Sequence, residues 1–362
     1  MKVSEIVAIL EEIAPTRNAE PWDNVGLLVG DPRAEIHRVL FTIDYTPEVA
    51  EEGKRAGCDL VVSYHPPLFQ PIKRITAPGL LYDAIQRGVA LYSPHTALDV
   101  AEGGTNDMLA DVLGLKARAP LRVAQAKATQ YKLVVFVPEE AIDRISVALF
   151  EAGAGRIGRY SACSFRSPGT GTFFGEAGAQ PTVGQGGRLE FVPELRLETV
   201  LPIQRVEAVI QALRAVHPYE EPAFDLVPLA APPESRGMGR MGELEPTSRA
   251  ELLDRIKAGL ELSKLLVAGP LEGQVTRVAA CAGSCGDLLE DAIAQRIDLY
   301  LTGEMRHHDA LKAARAGMTV VCALHSNSER AVLKRVRQRL LERAPALPVH
   351  LSQADRDPFS IR

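Results

Sequence analysis

The chain repeats itself, and the repeat limits the folds open to it. Arg38-Val39-Leu40-Phe41-Thr42-Ile43 leads through an acidic, alanine-rich helical stretch to Gly57-Cys58-Asp59-Leu60-Val61-Val62-Ser63. Arg277-Val278-Ala279-Ala280-Cys281-Ala282 leads through a similar stretch to Ile297-Asp298-Leu299-Tyr300-Leu301-Thr302. Arg38 matches Arg277 and Asp59 matches Asp298 at one constant offset, which sets His65 against Glu304. Each copy continues through a helix to another apolar strand that runs into a histidine, His95 in the first and His325 in the second. In the second copy Leu289, Ala292, Ile293 and Ile297 mark a buried helical face. Strand–helix–strand alternation predicts parallel pairing with right-handed crossovers. The expected fold class is α/β, with two similar α/β halves, 1–124 and 236–362, facing each other across a shared site.

Between the halves the pattern changes. A strand at YKLVVFVP from Tyr131 precedes a helix over 139–150 and a glycine-rich stretch. Short strands are predicted over 161–165, 170–174, 188–192 and 195–200, then a helix over 203–215 and a strand over 223–229. This β-α-β-β-α-β order with an extra hairpin predicts a ferredoxin-like α+β insert, 128–232. Its linkers are expected at 117–127 and 229–242, the latter holding Pro232-Pro233-Glu234-Ser235-Arg236-Gly237.

Polar residues collect where the apolar strands end. Ser63-Tyr64-His65-Pro66-Pro67 closes one strand, Pro94-His95-Thr96-Ala97-Leu98-Asp99 another, and His325-Ser326-Asn327-Ser328-Glu329 a third. Open α/β sheets bind ligands at the carboxyl ends of their strands, and histidine with carboxylate is the ligand set of catalytic metals. Ser326-Asn327-Ser328-Glu329 also fits a capping box opening a helix whose core face is Val332, Val336 and Leu340. Glu304, His307 and His308 form a second polar cluster. Ser4 reads as the N-cap of an opening helix with Ile6, Leu10 and Ile13 inward.

Other functions find little footing. Gly153-Ala154-Gly155-Arg156-Ile157-Gly158 has dinucleotide-fingerprint spacing but follows a helix where that fingerprint follows a strand. There is no phosphate loop and no nucleophile elbow. Net charge is −5 with no basic tract, so direct nucleic-acid binding is not expected. No run approaches a membrane span. The five cysteines, Cys58, Cys163, Cys281, Cys285 and Cys322, read as reduced and mostly buried, which points to the cytoplasm; C-x3-C between Cys281 and Cys285 is not zinc-knuckle spacing.

Trp22-Asp23-Asn24-Val25-Gly26-Leu27-Leu28-Val29-Gly30, Ser63-Tyr64-His65-Pro66-Pro67, His95-Thr96-Ala97-Leu98-Asp99 with Glu102-Gly103-Gly104-Thr105-Asn106-Asp107, Thr302-Gly303-Glu304 and His325-Ser326-Asn327-Ser328-Glu329 together resemble the NIF-three-like family, whose members are labelled GTP cyclohydrolase 1 type 2 homologues or dinuclear metal centre proteins. His217-Pro218-Tyr219-Glu220-Glu221-Pro222-Ala223-Phe224-Asp225 is similar to the PII/CutA-like domain inserted in longer members. The resemblance implies a toroidal homohexamer with a two-metal site in each subunit. One ion would be held by His65, Asp99 and Glu329, the other by His325, Glu329 and the residue before His65. That residue is often histidine in the family and here is Tyr64, a poor ligand unless a metal lowers its pKa; water or His95 would complete the second ion otherwise. The implied activity is metal-dependent hydrolysis, with one or two divalent ions (Zn, Mn, Fe, Co or Ni) activating water, and His95, Glu304 or His307 moving protons. The implied substrate is a nucleotide or another small molecule; no guanine-reading motif is visible. The alternative is a non-catalytic metal-binding scaffold, regulator or metal chaperone.

Overall fold

Asp59 and Asp298 show what the repeat is for. The Asp59 carboxylate accepts the backbone N–H groups of His37 (2.7 Å) and Arg38 (3.1 Å), at the start of the strand Val39–Thr42. Asp298 accepts those of Thr276 (2.8 Å) and Arg277 (2.9 Å) in the strand Gln274–Ser284. In each copy one aspartate fixes the register of two neighbouring parallel strands by capping donors that the ladder leaves over. This is a computed structural model, and it describes residues 1–124, 129–176, 178–179, 181–230 and 236–360. The expected linkers lie partly outside the described residues, at 125–127 and 231–235.

The chain divides into two compact units, Met1–Ala124 with Ser235–Arg362, and Gln125–Glu234. The first contains two five-stranded sheets. One runs Gly26–Val29, Ala90–Ser93, Leu60–Ser63, Val39–Thr42, Val349–Leu351; the other runs Arg240–Ser248, Gln274–Ser284, Leu299–Glu304, Thr319–Cys322, Leu266–Ala268. The three central strands of each are parallel, and in each an antiparallel strand flanks the one that ends at His95 or His325. Strands such as Leu60–Ser63 are buried along their whole length, as strands covered on both faces must be.

The two sheets exchange cover. The helix Thr105–Leu113 comes from the first copy, yet Leu109 and Leu113 pack with Val278, Leu299 and Leu301 of the second sheet. The long helix His325–Arg343 follows the second copy, yet Val332, Val336 and Leu340 pack with Ile6, Leu10, Val39 and Phe41 of the first. The terminal strand Val349–Leu351 then joins the first sheet beside Val39–Thr42. The Glu102–Asp107 segment holds this exchange together. Asn106 donates to the Asp99 carbonyl (3.0 Å) and accepts the Ala282 N–H (2.9 Å), while Asp107 pairs with buried Arg240 (2.6 Å). Gly104 is obligatory there, since a Cβ would lie 1.9 Å from the Leu98 carbonyl oxygen.

Two capping expectations are corrected. The first helix spans Val3–Ile13 behind Lys2, whose N–H is accepted by Glu5 (2.8 Å), so Ser4 lies inside the helix. The last helix begins at His325 behind Leu324, so Ser326 and Glu329 lie within it and form no capping box. Ser326 instead donates to Asp357 (2.7 Å).

The second unit carries one antiparallel sheet in the order Ser164–Phe174, Leu189–Pro202, Gln130–Val137, Phe224–Pro228. The helices Ile142–Glu151 and Val206–Val216 supply Ile145, Leu149, Val209 and Leu213 to a core with Leu133, Val135, Val137, Leu197 and Leu201. The strand residues alternate inward at the period of two that a sheet imposes. Among the described residues, the four short strands predicted over 161–200 are two long ones, of 11 and 14 residues. Gly153–Gly158 follows the helix Ile142–Glu151 and precedes the strand Ser164–Phe174, the wrong setting for a dinucleotide loop.

Candidate metal centre

The strand ends deliver their side chains through a shared device. Thr42, Ser63 and Ser93, each the last residue of its strand and each fully buried, donate their hydroxyls to loop carbonyls. Thr42 reaches Asp44 O (2.9 Å), Ser63 reaches His65 O (2.7 Å) and Ser93 reaches Tyr64 O (2.7 Å). These bonds turn the backbone at the sheet crest and fix Asp44, Tyr64 and His65 in place. In the second copy Leu324 has φ 71°, a left-handed conformation that non-glycine residues seldom adopt and that costs about 1–3 kcal/mol. It swings the chain from Thr319–Cys322 directly into the helix that starts at His325.

His65, His325 and Glu329 converge, with their ligand atoms all within 4.8 Å of one another. Both imidazole Nε2 atoms lie 3.3 Å from Glu329, His65 facing Oε2 and His325 facing Oε1. Glu329 sits one helical turn after His325, so the two share a face. Its Oε2 is buried without a hydrogen-bond partner, because His65 is close but outside hydrogen-bonding geometry. Glu329 thus presents a buried carboxylate oxygen without a hydrogen bond next to two imidazole nitrogens, a donor set that a cation could use.

The far side of each imidazole is braced. His65 Nδ1 meets the Asp44 carboxylate at 2.9 Å, and His325 Nδ1 meets Glu304 at 2.9 Å. Such carboxylates fix the tautomer and direct Nε2 toward the metal. Glu304 closes the second-copy strand Leu299–Glu304, and Asp44 follows the first-copy strand Val39–Thr42, so each half supplies one brace. Asp44 has no motif of its own; its position just past a strand end is the one signal that points to it.

Tyr64 and Asp99 lie beside this triad and face each other. The buried Tyr64 hydroxyl donates to the Asp99 carboxylate and lies 3.1 Å from Thr105 Oγ1. Asp99 stands to His95 as Glu329 stands to His325, one turn into a helix opened by the histidine. His95 is 5.4 Å from His65 between ring centroids, and its Nδ1 is held by Asp23 at 2.8 Å. His307 and His308 are exposed at the start of the helix His307–Arg315, their rings edge to face at 5.3 Å between centroids. Among the described residues neither belongs to the triad. All five cysteines are free, with Cys58, Cys281 and Cys285 buried and Cys163 and Cys322 partly so.

Electrostatics follow from this crowding. Burial alone would lower the His65 pKa, but the Asp44 and Glu329 carboxylates outweigh it and hold it at about 10. For His325 the Glu329 contact outweighs burial, and Glu304 adds to it, giving about 9. Burial raises the Glu329 pKa, but the two imidazoles reverse this and leave it below the usual glutamate value. Burial, opposed by the Tyr64 bond and reinforced by the Glu329 charge, pushes Asp99 up to about 6. The phenol of Tyr64 is driven well above its ordinary range by burial and by Asp99. A metal must therefore displace the Nε2 proton from two imidazoliums at neutral pH. We predict release of about two protons per triad ion at pH 7, and apparent affinity rising about a hundredfold per pH unit between about pH 6 and 8. Calorimetry in buffers of different ionisation enthalpy checks it; a pH-independent affinity would contradict it.

Two glycines make room for the triad. Gly283 has φ +69°, and a Cβ there would lie 2.8 Å from Glu329 Oε1 and 3.3 Å from His325 Nε2. At Gly303 a Cβ would lie 2.6 Å from the Gly283 carbonyl oxygen and 2.8 Å from Ser328 Oγ. Ser328 meanwhile accepts the Gly283 N–H (2.9 Å) and donates to His325 O (2.7 Å), tying the helix start to the strand end. Gly283→Ala is expected to cost about 1–3 kcal/mol in urea unfolding through the positive φ and to displace Glu329, with a matching fall in bound metal by plasma emission.

Two sheets with a strand-end His/His/carboxylate cluster define a class, and sequence comparison gives the family. The Duf34/NIF3 (NGG1p interacting factor 3) profile matches residues 1–358, and the chain belongs to this family. It is 37% identical over 342 residues to the GTP cyclohydrolase 1 type 2 homolog of Halalkalibacterium halodurans, covering 92% of this chain and 91% of the relative. It is 34% identical over 365 residues to the protein of that name from Bacillus subtilis, covering 98% and 97%. Among solved structures, the Staphylococcus aureus protein SA1388 superposes with a TM-score of 0.75 at 27% identity, covering 100% of this chain and 99% of that one. A Bacillus cereus protein related to NIF3 superposes with a TM-score of 0.67 at 33% identity, with the same coverage. Among the described residues no helix is long and apolar enough to cross a membrane.

Proposed function

We propose that the protein is a metal-dependent hydrolase whose cation is held by His65, His325 and Glu329. The observation that carries this reading is the buried, unpartnered Oε2 of Glu329 between two braced imidazoles. Mixed nitrogen and oxygen ligands suit Zn, Mn, Fe, Co or Ni. A divalent ion there would supply Lewis acidity toward a substrate oxygen and lower the pKa of water. The protein's own residues do the rest. Asp44 and Glu304 hold the imidazoles in register, the Asp99 carboxylate, with the neutral Tyr64 hydroxyl beside it, would serve a second ion, and His95, pinned by Asp23, stands beside the triad as proton carrier. His307, also a candidate proton carrier, lies exposed at the start of the helix His307–Arg315.

The relatives' name, GTP cyclohydrolase 1 type 2 homolog, points to nucleotides as the first substrates to try. The test is formate and phosphate release from a panel of nucleoside triphosphates with each metal, for the native chain and Glu329→Ala. Turnover that disappears with Glu329 supports the hydrolase; metal retained without turnover on any substrate assigns the chain to a scaffold or metal chaperone.

We further propose that residues 128–232 form a PII/CutA-like, ferredoxin-like insert between core segments 1–124 and 236–362, that the chain assembles as a toroidal homohexamer, and that it works in the cytoplasm. The β-α-β-β-α-β element order supports the first and family membership the second. Light scattering on the eluted protein decides the oligomer, a monomer mass being the contrary result.

A further inference from the structure

We propose that Trp22 and Phe69 form a platform that holds a planar aromatic heterocycle, such as a nucleobase, against the metal centre. This rests on the hydrolase reading for what happens to the ligand, but its evidence is separate. Trp22 is 60% exposed and Phe69 43%, both large apolar rings in contact with water. With His95 they make a three-ring corner: Trp22–Phe69 6.0 Å, Trp22–His95 6.2 Å and Phe69–His95 6.4 Å between centroids, with interplanar angles of 70–82°. His95 is in turn 5.4 Å from His65. One imidazole therefore separates the platform from the cation ligands.

The exposure is not that of a loose loop. Asp23, next to Trp22, has a fully buried side chain that holds His95 Nδ1 and the Thr96 N–H (3.1 Å). Thr96 Oγ1 accepts the Glu20 N–H (3.0 Å), fixing the chain on the other side of Trp22. The Asn24 side-chain amide donates to the Leu68 carbonyl, strapping the Trp22 segment to the residue before Phe69. Two apolar rings are thus held rigidly in solvent at the mouth of a polar, cation-binding cup. Stacking on such rings is favourable for any base and costs little ordering entropy when the rings are already fixed. A ligand with a flat ring and an anionic or carbonyl group on one edge would cover the platform and reach a cation on the triad at once, with the Nε2 edge of His95 between them for a ring nitrogen.

Trp22 is the chain's one tryptophan, so its fluorescence reports the platform directly. Metal-loaded and metal-free protein are titrated with adenosine and guanosine monophosphates, and with ribose 5-phosphate, inorganic phosphate and choline as ring-less controls. We expect the nucleotides to quench Trp22 and to bind at least about tenfold more tightly than ribose 5-phosphate. By calorimetry, Trp22→Ala and Phe69→Ala lower nucleotide affinity about tenfold, Trp22→Phe lowers it less, and all three leave ribose 5-phosphate affinity and metal content unchanged. Ring selectivity by metal-loaded protein that turns over no nucleotide keeps the platform while the hydrolase reading falls. Equal affinity for nucleotide and ribose 5-phosphate in both forms overturns the proposal. So does tight choline binding without nucleotide selectivity, which marks a cation cage. So does Trp22 emission that follows only protein dilution, which marks the surface as a contact with a second copy.

Discussion

Replacing Glu329 with glutamine is expected to abolish metal binding at the proposed centre while leaving the fold intact. The substitution keeps the shape of a side chain that is 4% exposed and removes only its charge. That charge lies 3.3 Å from both imidazole Nε2 atoms, and no other carboxylate belongs to the three-residue cluster. Loss of an outlying bracing partner alone weakens metal sites about 10–100-fold, so loss of a direct anionic ligand is expected to exceed about a hundredfold. The metal-to-protein ratio after dialysis should fall to background with the far-ultraviolet dichroism unchanged. A second readout is independent of metal. Without the carboxylate, the metal-free imidazoles of His65 and His325 should titrate well below about 10 and 9, with His65 still supported by Asp44 and His325 by Glu304. Proton resonances of the histidine rings report this. Retained metal, or unmoved histidine titrations, would show that Glu329 is not the central ligand.

The largest stability change is expected outside the triad, at Asp107→Ala. Arg240 and Asp107 form an ion pair at 2.6 Å with side chains only 8% and 9% exposed. The arginine also donates to the Gly237 and Gly239 carbonyls (2.9 and 2.8 Å), and Asp107 accepts the Gly103 N–H (2.6 Å). Removing the aspartate leaves a guanidinium charge buried without its counter-ion, at a cost of about 3–5 kcal/mol. Removing both charges together, as Asp107→Leu with Arg240→Met, should recover much of that loss, because the desolvation penalty goes with them. Urea unfolding of the three variants checks the pattern; a single-mutant loss under about 1 kcal/mol would mean that water reaches the pair. The pair links the helix Thr105–Leu113 to the edge strand Arg240–Ser248. Its loss should therefore loosen the exchanged packing and only secondarily the metal triad.

Asp107 also illustrates how far motif reading goes. Glu102-Gly103-Gly104-Thr105-Asn106-Asp107 is conspicuous as a string of turn formers and polar residues, and it reads as part of a site. In the structure Asn106 and Asp107 serve the junction between the two sheets. The reverse holds for Ser326–Glu329, where the capping pattern is present but unused. Leu324 has already turned the chain, so the helix starts at His325 and leaves the carboxylate of Glu329 free for the imidazoles. Local pattern alone does not separate these cases, because a cap and a ligand use the same atoms and differ only in what lies opposite.

Local patterning already carried the periodic features: the parallel strands, the helices between them, the matched Asp59 and Asp298, and histidines at strand ends. All of these follow from chemistry within a few residues, namely alternation of apolar side chains, turn formers and register-setting carboxylates. Long-range packing alone placed Thr105–Leu113 on the other copy's sheet and His325–Arg343 against both sheets, set Asp44 behind His65, and made Gly283 clear space for Glu329. An amphipathic helix records that it has an apolar face but not which of two equally apolar sheets will bury it. A glycine does not record which carboxylate its missing Cβ admits.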